Sequence, residues 1–102
     1  MILKIVVEQK AINEIASAMK WYSEKSLIAS ENFEREINEA FNYLQSTIAE
    51  HRKIFSDIRV LSLKVFPYNI YYLKKDTNNK ISIIAFLHNK RSSDFIKTRL
   101  KV

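Results

Sequence analysis

The chain has 102 residues, with 47% hydrophobic and 27% charged residues, and it contains neither cysteine nor glycine. These values are typical of one folded domain with a modest core. They exclude a disulfide framework, thiolate chemistry and glycine-rich phosphate loops. No apolar run approaches the roughly 18 residues of a membrane span. We therefore expect a single domain over residues 1–102, in the cytoplasm and away from membranes.

The formal net charge of +6 is unevenly distributed along the chain. Residues 1–50 carry 5 Lys and Arg against 8 Asp and Glu, a balance of −3. Residues 51–102 carry 12 against 3, a balance of +9. A basic surface favours a polyanion or an acidic protein as partner, although the same charges also keep a protein soluble. The asymmetry predicts a functional basic face in the second half.

The first half of the chain predicts one strand followed by two helices. Residues 2–7 are rich in β-branched side chains, as in a short strand. Apolar residues then recur every three or four positions over residues 8–25 and again over residues 33–48, which indicates two amphipathic helices. Ser26 or Ser30 is suited to cap the second helix. The short link between the helices favours an antiparallel hairpin.

The second half predicts three strands, over residues 58–66, 68–75 and 80–88. Pro67 separates the first two, because proline lacks the N–H that a central strand needs. The sequence "DTNN" at 76–79 is a turn-forming cluster between the last two. The order β-α-α-β-β-β predicts an α+β fold in which a helical hairpin packs on one face of an antiparallel meander.

The other face of the predicted sheet is also apolar. Strict alternation along the strands would place on that face the side chains of Tyr71, Leu73, Ile84 and Phe86. Two helices cover only one face, so we expect these side chains to stay partly exposed unless a partner or the C-terminal segment covers them. An exposed apolar patch of this kind marks a binding surface.

Three stretches, "WYSEKSLIASENFEREINEAFNYL", "IRVLSLKVFPYNIYYL" and "ISIIAFLHNKRS", carry a family resemblance. Over about residues 2–94 the chain resembles the RelE/ParE toxin superfamily, which includes plasmid stabilisation proteins. The shared features are Trp21-Tyr22, Phe33, Phe66-Pro67-Tyr68, Tyr72 and His88 to Arg91. The resemblance implies the fold deduced above, the role of toxin in a type II toxin–antitoxin module, and a cognate antitoxin as partner.

The RelE branch of the superfamily cleaves messenger RNA on the ribosome without a metal. Such chemistry needs cations near the scissile phosphate and a group that activates the 2′-hydroxyl. The candidates for catalysis are Arg91, His88 and Lys90. The resemblance also implies an arginine at the position of Asn69 and a tyrosine near Phe95, and both are missing here. Of the nuclease set, Arg91 is retained.

The ParE branch poisons DNA gyrase by binding, and the "FPYNIYY" and "LHNKR" pattern lies closer to this branch. On this interpretation a patch for target or antitoxin is formed by Arg59, Lys64, Asn69, Tyr71, Phe86, His88, Lys90 and Arg91. A ribosome-dependent messenger RNA endonuclease and an inactive homologue are the alternatives. The two histidines are far apart in sequence and no cysteine is present, so we expect no metal and no small-molecule cofactor.

Overall fold

The computed structural model of the chain describes residues 3–46, 53–55, 57–75 and 79–90. Two helices and five strands lie within these residues: β1 (Lys4–Val7), α1 (Gln9–Lys25), α2 (Leu27–Ser46), β2 (Lys53–Phe55), β3 (Ile58–Ser62), β4 (Tyr68–Lys75) and β5 (Lys80–His88). The predicted α+β fold is confirmed. The three-residue strand β2 is an addition to the predicted order.

All five strands form one sheet in the order β1-β5-β4-β3-β2. The strands from β2 to β5 are antiparallel neighbours and form the predicted meander. Strand β1 pairs with β5 in parallel, from Lys4 opposite Lys80 to Val7 opposite Ile83. The sheet is therefore mixed, and the helical hairpin provides the crossover that parallel neighbours require.

The helical hairpin turns sharply at Ser26, which lies between α1 and α2. Its backbone N–H donates to the Tyr22 carbonyl at 2.9 Å and so closes the last turn of α1. Its hydroxyl oxygen accepts the N–H of Ala29 at 3.2 Å, as an N-cap of α2 does. The prediction of a serine cap is confirmed for Ser26. Ser30 lies inside α2, and its hydroxyl contacts the sulfur of Met19.

The main hydrophobic core lies between the hairpin and the sheet. Helix α1 contributes the buried Ala11 and Ala18, small residues that let its backbone approach β5. Helix α2, the strands and the loop after β3 contribute larger buried side chains: Phe33, Ile37, Leu44, Leu63, Ile70, Tyr72, Ile81, Ile83 and Phe86. The apolar periodicity of both helices therefore faces the sheet, as amphipathic helices require.

A β-bulge in β5 changes which side chains face the helices. Tyr71 pairs with Ala85 and Tyr72 pairs with Ile83, so Ile84 has no residue opposite it on β4. The extra residue shifts the alternation by one position, as bulges do. Phe86 consequently packs in the main core. The prediction that Phe86 lies on the face away from the helices is wrong for this reason.

The face of the sheet away from the helices is also buried. A second cluster there consists of Ile58, Tyr71, Ile84, Ala85 and Leu87, with Val60 and Leu73 packed against it. Tyr71 is 3% exposed and Ile84 is 4% exposed. Tyr71 and Ile84 are therefore covered and not exposed, while Leu73 is partly buried. Both faces of the sheet carry a buried cluster, so its exposed side chains lie toward its ends.

Candidate functional site

One end of the sheet brings several of the sequence-predicted site residues together. Strand β3 ends there, β4 begins there and β5 ends there. The register places Tyr68 opposite His88, and Asn69 between Ser62 and Leu87. We call this region, formed by residues 62–69 and 87–90, the sheet end. It includes the predicted site residues Lys64, Asn69, His88 and Lys90.

The β3–β4 connection is a loop and not a continued strand. Strand β3 was predicted to reach residue 66 but ends at Ser62, and residues 63–67 form a loop closed by backbone hydrogen bonds. The N–H of Leu63 donates to the Tyr68 carbonyl at 3.0 Å, and the N–H of Asn89 donates to the Pro67 carbonyl at 2.8 Å. Pro67 therefore stands in a turn, as predicted, and its carbonyl ties β4 to the end of β5.

Glu36 of α2 holds this loop through its carboxylate. The oxygens of Glu36 accept the backbone N–H groups of Lys64, of Val65 at 3.2 Å and of Phe66 at 3.3 Å. Three consecutive N–H groups that converge on one anion form an anion-binding nest. A charged acceptor makes such bonds stronger than neutral ones. The loop therefore has a fixed backbone in a region that is otherwise open to solvent.

His88 points into the sheet end from the last position of β5. Its ring stands edge-on to Tyr68, with centroids 5.2 Å apart. Its Nδ1 accepts the backbone N–H of Lys90 at 3.1 Å, so this nitrogen is engaged in a hydrogen bond within the chain. This is the arrangement of a structural histidine more than that of a general base.

Asn69 lies on the other side of β4, beside Ser62 and Tyr71. The Ser62 hydroxyl contacts the Asn69 side-chain oxygen at 2.6 Å, and the Asn69 amide nitrogen donates toward the Tyr71 hydroxyl at 3.5 Å. A neutral amide in this network cannot clamp a phosphate as a guanidinium does. The position at which the resemblance to the RelE branch implies an arginine holds a polar, uncharged side chain here.

Three other predicted site residues lie away from the exposed surface of this group. Arg59 lies opposite Tyr72, further along β3 and on the side of the helices, and its Nε is buried without a hydrogen-bond partner among the described residues. Tyr71 and Phe86 are buried in the two cores. Arg91 lies outside the described residues. The structure therefore groups four of the eight predicted residues.

A groove of 640 Å³ runs between α1 and the sheet end. One wall is formed by α1, with the indole of Trp21 53% exposed, and the other by Pro67, Tyr68 and His88. The Lys25 ammonium lies 5.2 Å from the centroid of the Trp21 ring, in a cation–π contact. An aromatic wall with one accessible indole is suited to receive an apolar or aromatic side chain.

Aromatic rings form the floor of this groove. Tyr22 packs on Phe33 at 4.8 Å and on Phe66 at 5.0 Å between ring centroids, while Tyr68 stacks on Phe86 at 4.9 Å. Burial, then the interaction with Tyr68 and the hydrogen bond between the two side chains, raises the pKa of Tyr22. The phenol of Tyr22 therefore stays neutral in the physiological range.

Glu14 of α1 satisfies a strand edge in the same groove. Strand β1 covers β5 only as far as Ile83, so the later residues of β5 have no β1 partner. The Glu14 carboxylate accepts the backbone N–H of Phe86 at 2.9 Å. Neither Glu14 nor Glu36 was among the residues predicted from the sequence. The available signal was their position, since each carboxylate lies at the border of a buried helical stripe.

Two further properties concern the described residues alone. They contain no cluster of three or more histidine and acidic side chains that has the arrangement of a metal site. They also contain no helix that is long and apolar enough to cross a membrane.

The comparisons with known proteins agree with this architecture. The fold is similar to that of the chromosomal ParDE TA system from P. aeruginosa, with a TM-score of 0.67, 19% identity, and coverage of 85% of this chain and 96% of that chain. It is also similar to the isolated E. coli RelE toxin, with a TM-score of 0.56, 17% identity, and coverage of 96% and 99%. A double arginine-to-alanine mutant of E. coli RelE in the free state gives a TM-score of 0.60 at 14% identity, with coverage of 98% and 99%. No curated protein matches the sequence.

These structures show that the chain has the fold of the ParE and RelE proteins. Residues 5–93 match the family described as "ParE toxin of type II toxin-antitoxin system, parDE". The match covers most of the chain, so the protein belongs to the ParE toxin family and is a toxin of a type II toxin–antitoxin system. Membership of that family implies an antitoxin partner.

Proposed function

We propose that this toxin acts by binding a protein target in the cytoplasm, with DNA gyrase as the first candidate, and that a cognate antitoxin neutralises it. Family membership is the observation that carries the proposal, because residues 5–93 match the ParE toxin model. Binding needs a formed surface and no catalytic group of the toxin's own. The sheet end offers such a surface.

The side chains at the sheet end support binding over RNA cleavage. Asn69 supplies no charge where the RelE branch has an arginine, and His88 uses its Nδ1 as an acceptor for Lys90. Metal-independent cleavage of RNA needs several cations around one phosphate and a group that accepts the 2′-hydroxyl proton. Among the described residues of the sheet end, the exposed cations are Lys64 and Lys90.

The contact residues that we propose are Lys64, Asn69, His88 and Lys90, with Arg91 as a continuation of the same segment. The lysines give the sheet end a positive potential, which suits an acidic partner and raises its association rate. An antitoxin segment with acidic side chains fits this surface, and an apolar side chain of the same segment fits the aromatic groove beside it.

The first test is induction of the toxin alone and together with the small gene beside it. We expect growth arrest when the toxin is induced alone, and rescue with a stable complex when the neighbouring gene is co-expressed. A toxin that leaves growth unchanged at a confirmed expression level would support the inactive-homologue alternative. Unchanged arrest on co-expression, with no complex formed, would contradict the antitoxin assignment.

The second test separates the two kinds of target. Purified toxin is added to DNA gyrase in a supercoiling assay and to programmed ribosomes in a messenger RNA cleavage assay. Inhibition of supercoiling with intact messages supports the proposal. Cleaved messages, with cleavage lost in Arg91→Ala, would instead establish the ribonuclease alternative.

A further inference from the structure

The loop of residues 63–67 combines a fixed backbone with an unusually exposed apolar side chain. Val65 is 80% exposed, although its neighbours Leu63 and Phe66 pack against the main core. The backbone at Val65 is held on both sides, because the N–H groups of Lys64, Val65 and Phe66 all donate to Glu36. The chain therefore presents one isopropyl group to solvent on a restrained support.

The restraint matters because ordering a contact surface opposes association. A partner that binds a mobile loop must supply the free energy that immobilises its backbone and side chains, whereas a preorganised loop avoids that cost. Valine adds little further loss, since its β-branched side chain has few rotamers. A clamped and exposed valine is thus suited to be an apolar anchor in a binding surface.

Two other exposed apolar side chains lie in a helix and have no such carboxylate clamp among the described residues. Leu27 and Ile28 are 71% and 70% exposed in the first turn of α2. Single exposed apolar residues are common on protein surfaces and carry no functional meaning by exposure alone. The carboxylate clamp distinguishes Val65 from them, and it makes Ile28 a matched control.

The chemistry of the loop also indicates the kind of partner. An isopropyl group offers nothing to a phosphate, whereas it fills an apolar pocket of a protein surface. Lys64 beside it adds one cation that can meet an acidic side chain at the rim of such a pocket. The combination of one apolar anchor and one flanking cation fits a protein better than a nucleic acid.

We infer that the loop of residues 63–67 is a preorganised contact for the protein target, with Val65 as its apolar anchor and Glu36 as the positioning residue that holds it. The inference rests on the proposed function, since it assigns a contact to the toxic action. Glu36 touches no target in this scheme. It acts through the backbone of Lys64, Val65 and Phe66.

The anchor is tested by inducing Val65→Asp, Val65→Lys and the control Ile28→Asp, with circular dichroism and immunoblotting to establish equal folding and expression. We expect both Val65 variants to lose growth arrest, equivalent to a roughly tenfold or greater loss of target affinity. Ile28→Asp should arrest growth as the wild type does. Because the two Val65 variants carry opposite charges, a difference in growth arrest between them separates an electrostatic contact from an apolar one.

The positioning role is tested on Glu36→Ala, with Glu34→Gln as the matched control on the exposed side of α2. Amide hydrogen exchange should become roughly tenfold faster or more at residues 64–66 in Glu36→Ala, because exchange follows local opening. Growth arrest should weaken together with it. Glu34→Gln should change neither measurement.

The outcomes separate the inference from the function on which it rests. Full arrest by both Val65 variants would overturn the anchor. Arrest retained by Val65→Lys but lost in Val65→Asp would show that charge and not the apolar side chain carries the contact, and it would also overturn the anchor. Faster exchange in Glu36→Ala with undiminished arrest would overturn the positioning role. A wild-type chain that causes no arrest would refute the proposed function itself.

Discussion

Replacement of Phe86 by alanine tests the β-bulge that determines the two faces of the sheet. With strict alternation, Phe86 would lie on the face away from the helices, and its removal would not disturb the helix–sheet core. In the structure it is 2% exposed, stacked on Tyr68 at 4.9 Å and edge-on to Phe33 at 5.8 Å. A buried phenylalanine-to-alanine change costs about 3–5 kcal/mol, of which aromatic pairing accounts for roughly 0.5–1.5 kcal/mol per pair.

Urea denaturation followed by Trp21 fluorescence measures this cost. With an m-value of about 2 kcal/mol/M, a loss of about 4 kcal/mol lowers the midpoint by roughly 2 M. Phe86→Leu retains most of the volume and gives a folded variant with a smaller loss, and the exposed Val65→Ala should stay within about 0.5 kcal/mol of the wild type. A Phe86→Ala midpoint indistinguishable from that of Val65→Ala would refute the assignment of Phe86 to the core.

Three further predictions concern single contacts. Ser26→Ala should destabilise the chain by about 1 kcal/mol, because α2 loses its N-cap; thermal denaturation measures this. Glu14→Ala should cost about 1–3 kcal/mol in urea denaturation, since the Phe86 N–H loses its acceptor. Tyr22→Phe should reduce the loss of folding stability at alkaline pH, because the pKa of Tyr22 is raised in the folded state. The stability that Tyr22 contributes is intact below about pH 10 and is lost as the pH rises further. Free energies of unfolding between neutral and strongly alkaline pH measure it.

Two of these predictions have a control substitution. Ser23→Ala removes a hydroxyl that bonds an exposed carbonyl of α1 and should cost less than Ser26→Ala. Glu14→Gln keeps an oxygen acceptor and should cost less than Glu14→Ala. Equal costs within either pair would contradict the contact assigned to it. An unchanged alkaline profile in Tyr22→Phe would contradict the raised pKa of Tyr22.

The helices, the meander and the Pro67 turn could be predicted because each has a local signal. Apolar spacing marks the helices, alternation marks the strands, and proline marks a position that cannot donate to a ladder. The N-cap of α2, Ser26, was one of the two serines that the sequence predicted for this role. These signals depend on a few neighbouring residues, so the sequence alone was sufficient for them.

The pairing of β1 and the bulge at Ile84 could not be predicted, for a different reason. Nothing within Lys4–Val7 indicates that its partner lies near residue 80 or that the two run parallel. The bulge depends on how β4 and β5 align, and both strands are apolar on both sides, so alternation gave no sign of the shift. The wrong prediction for Phe86 follows from this bulge.

The sequence predicted the cations of the candidate site but not its two carboxylates. Glu14 lies between the buried Ala11 and Ala18, and Glu36 lies between the buried Phe33 and the half-buried Ala40, so both carboxylates stand where a helix meets the sheet. Each accepts N–H groups that the sheet leaves unpaired, one at the edge of β5 and the other in the loop after β3. A charge count assigns them to a solvated acidic face. Their hydrogen bonds show instead that carboxylates of the two helices hold the backbone of the sheet end in place. The acidic first half of the chain therefore shapes the surface on which the basic second half presents its cations.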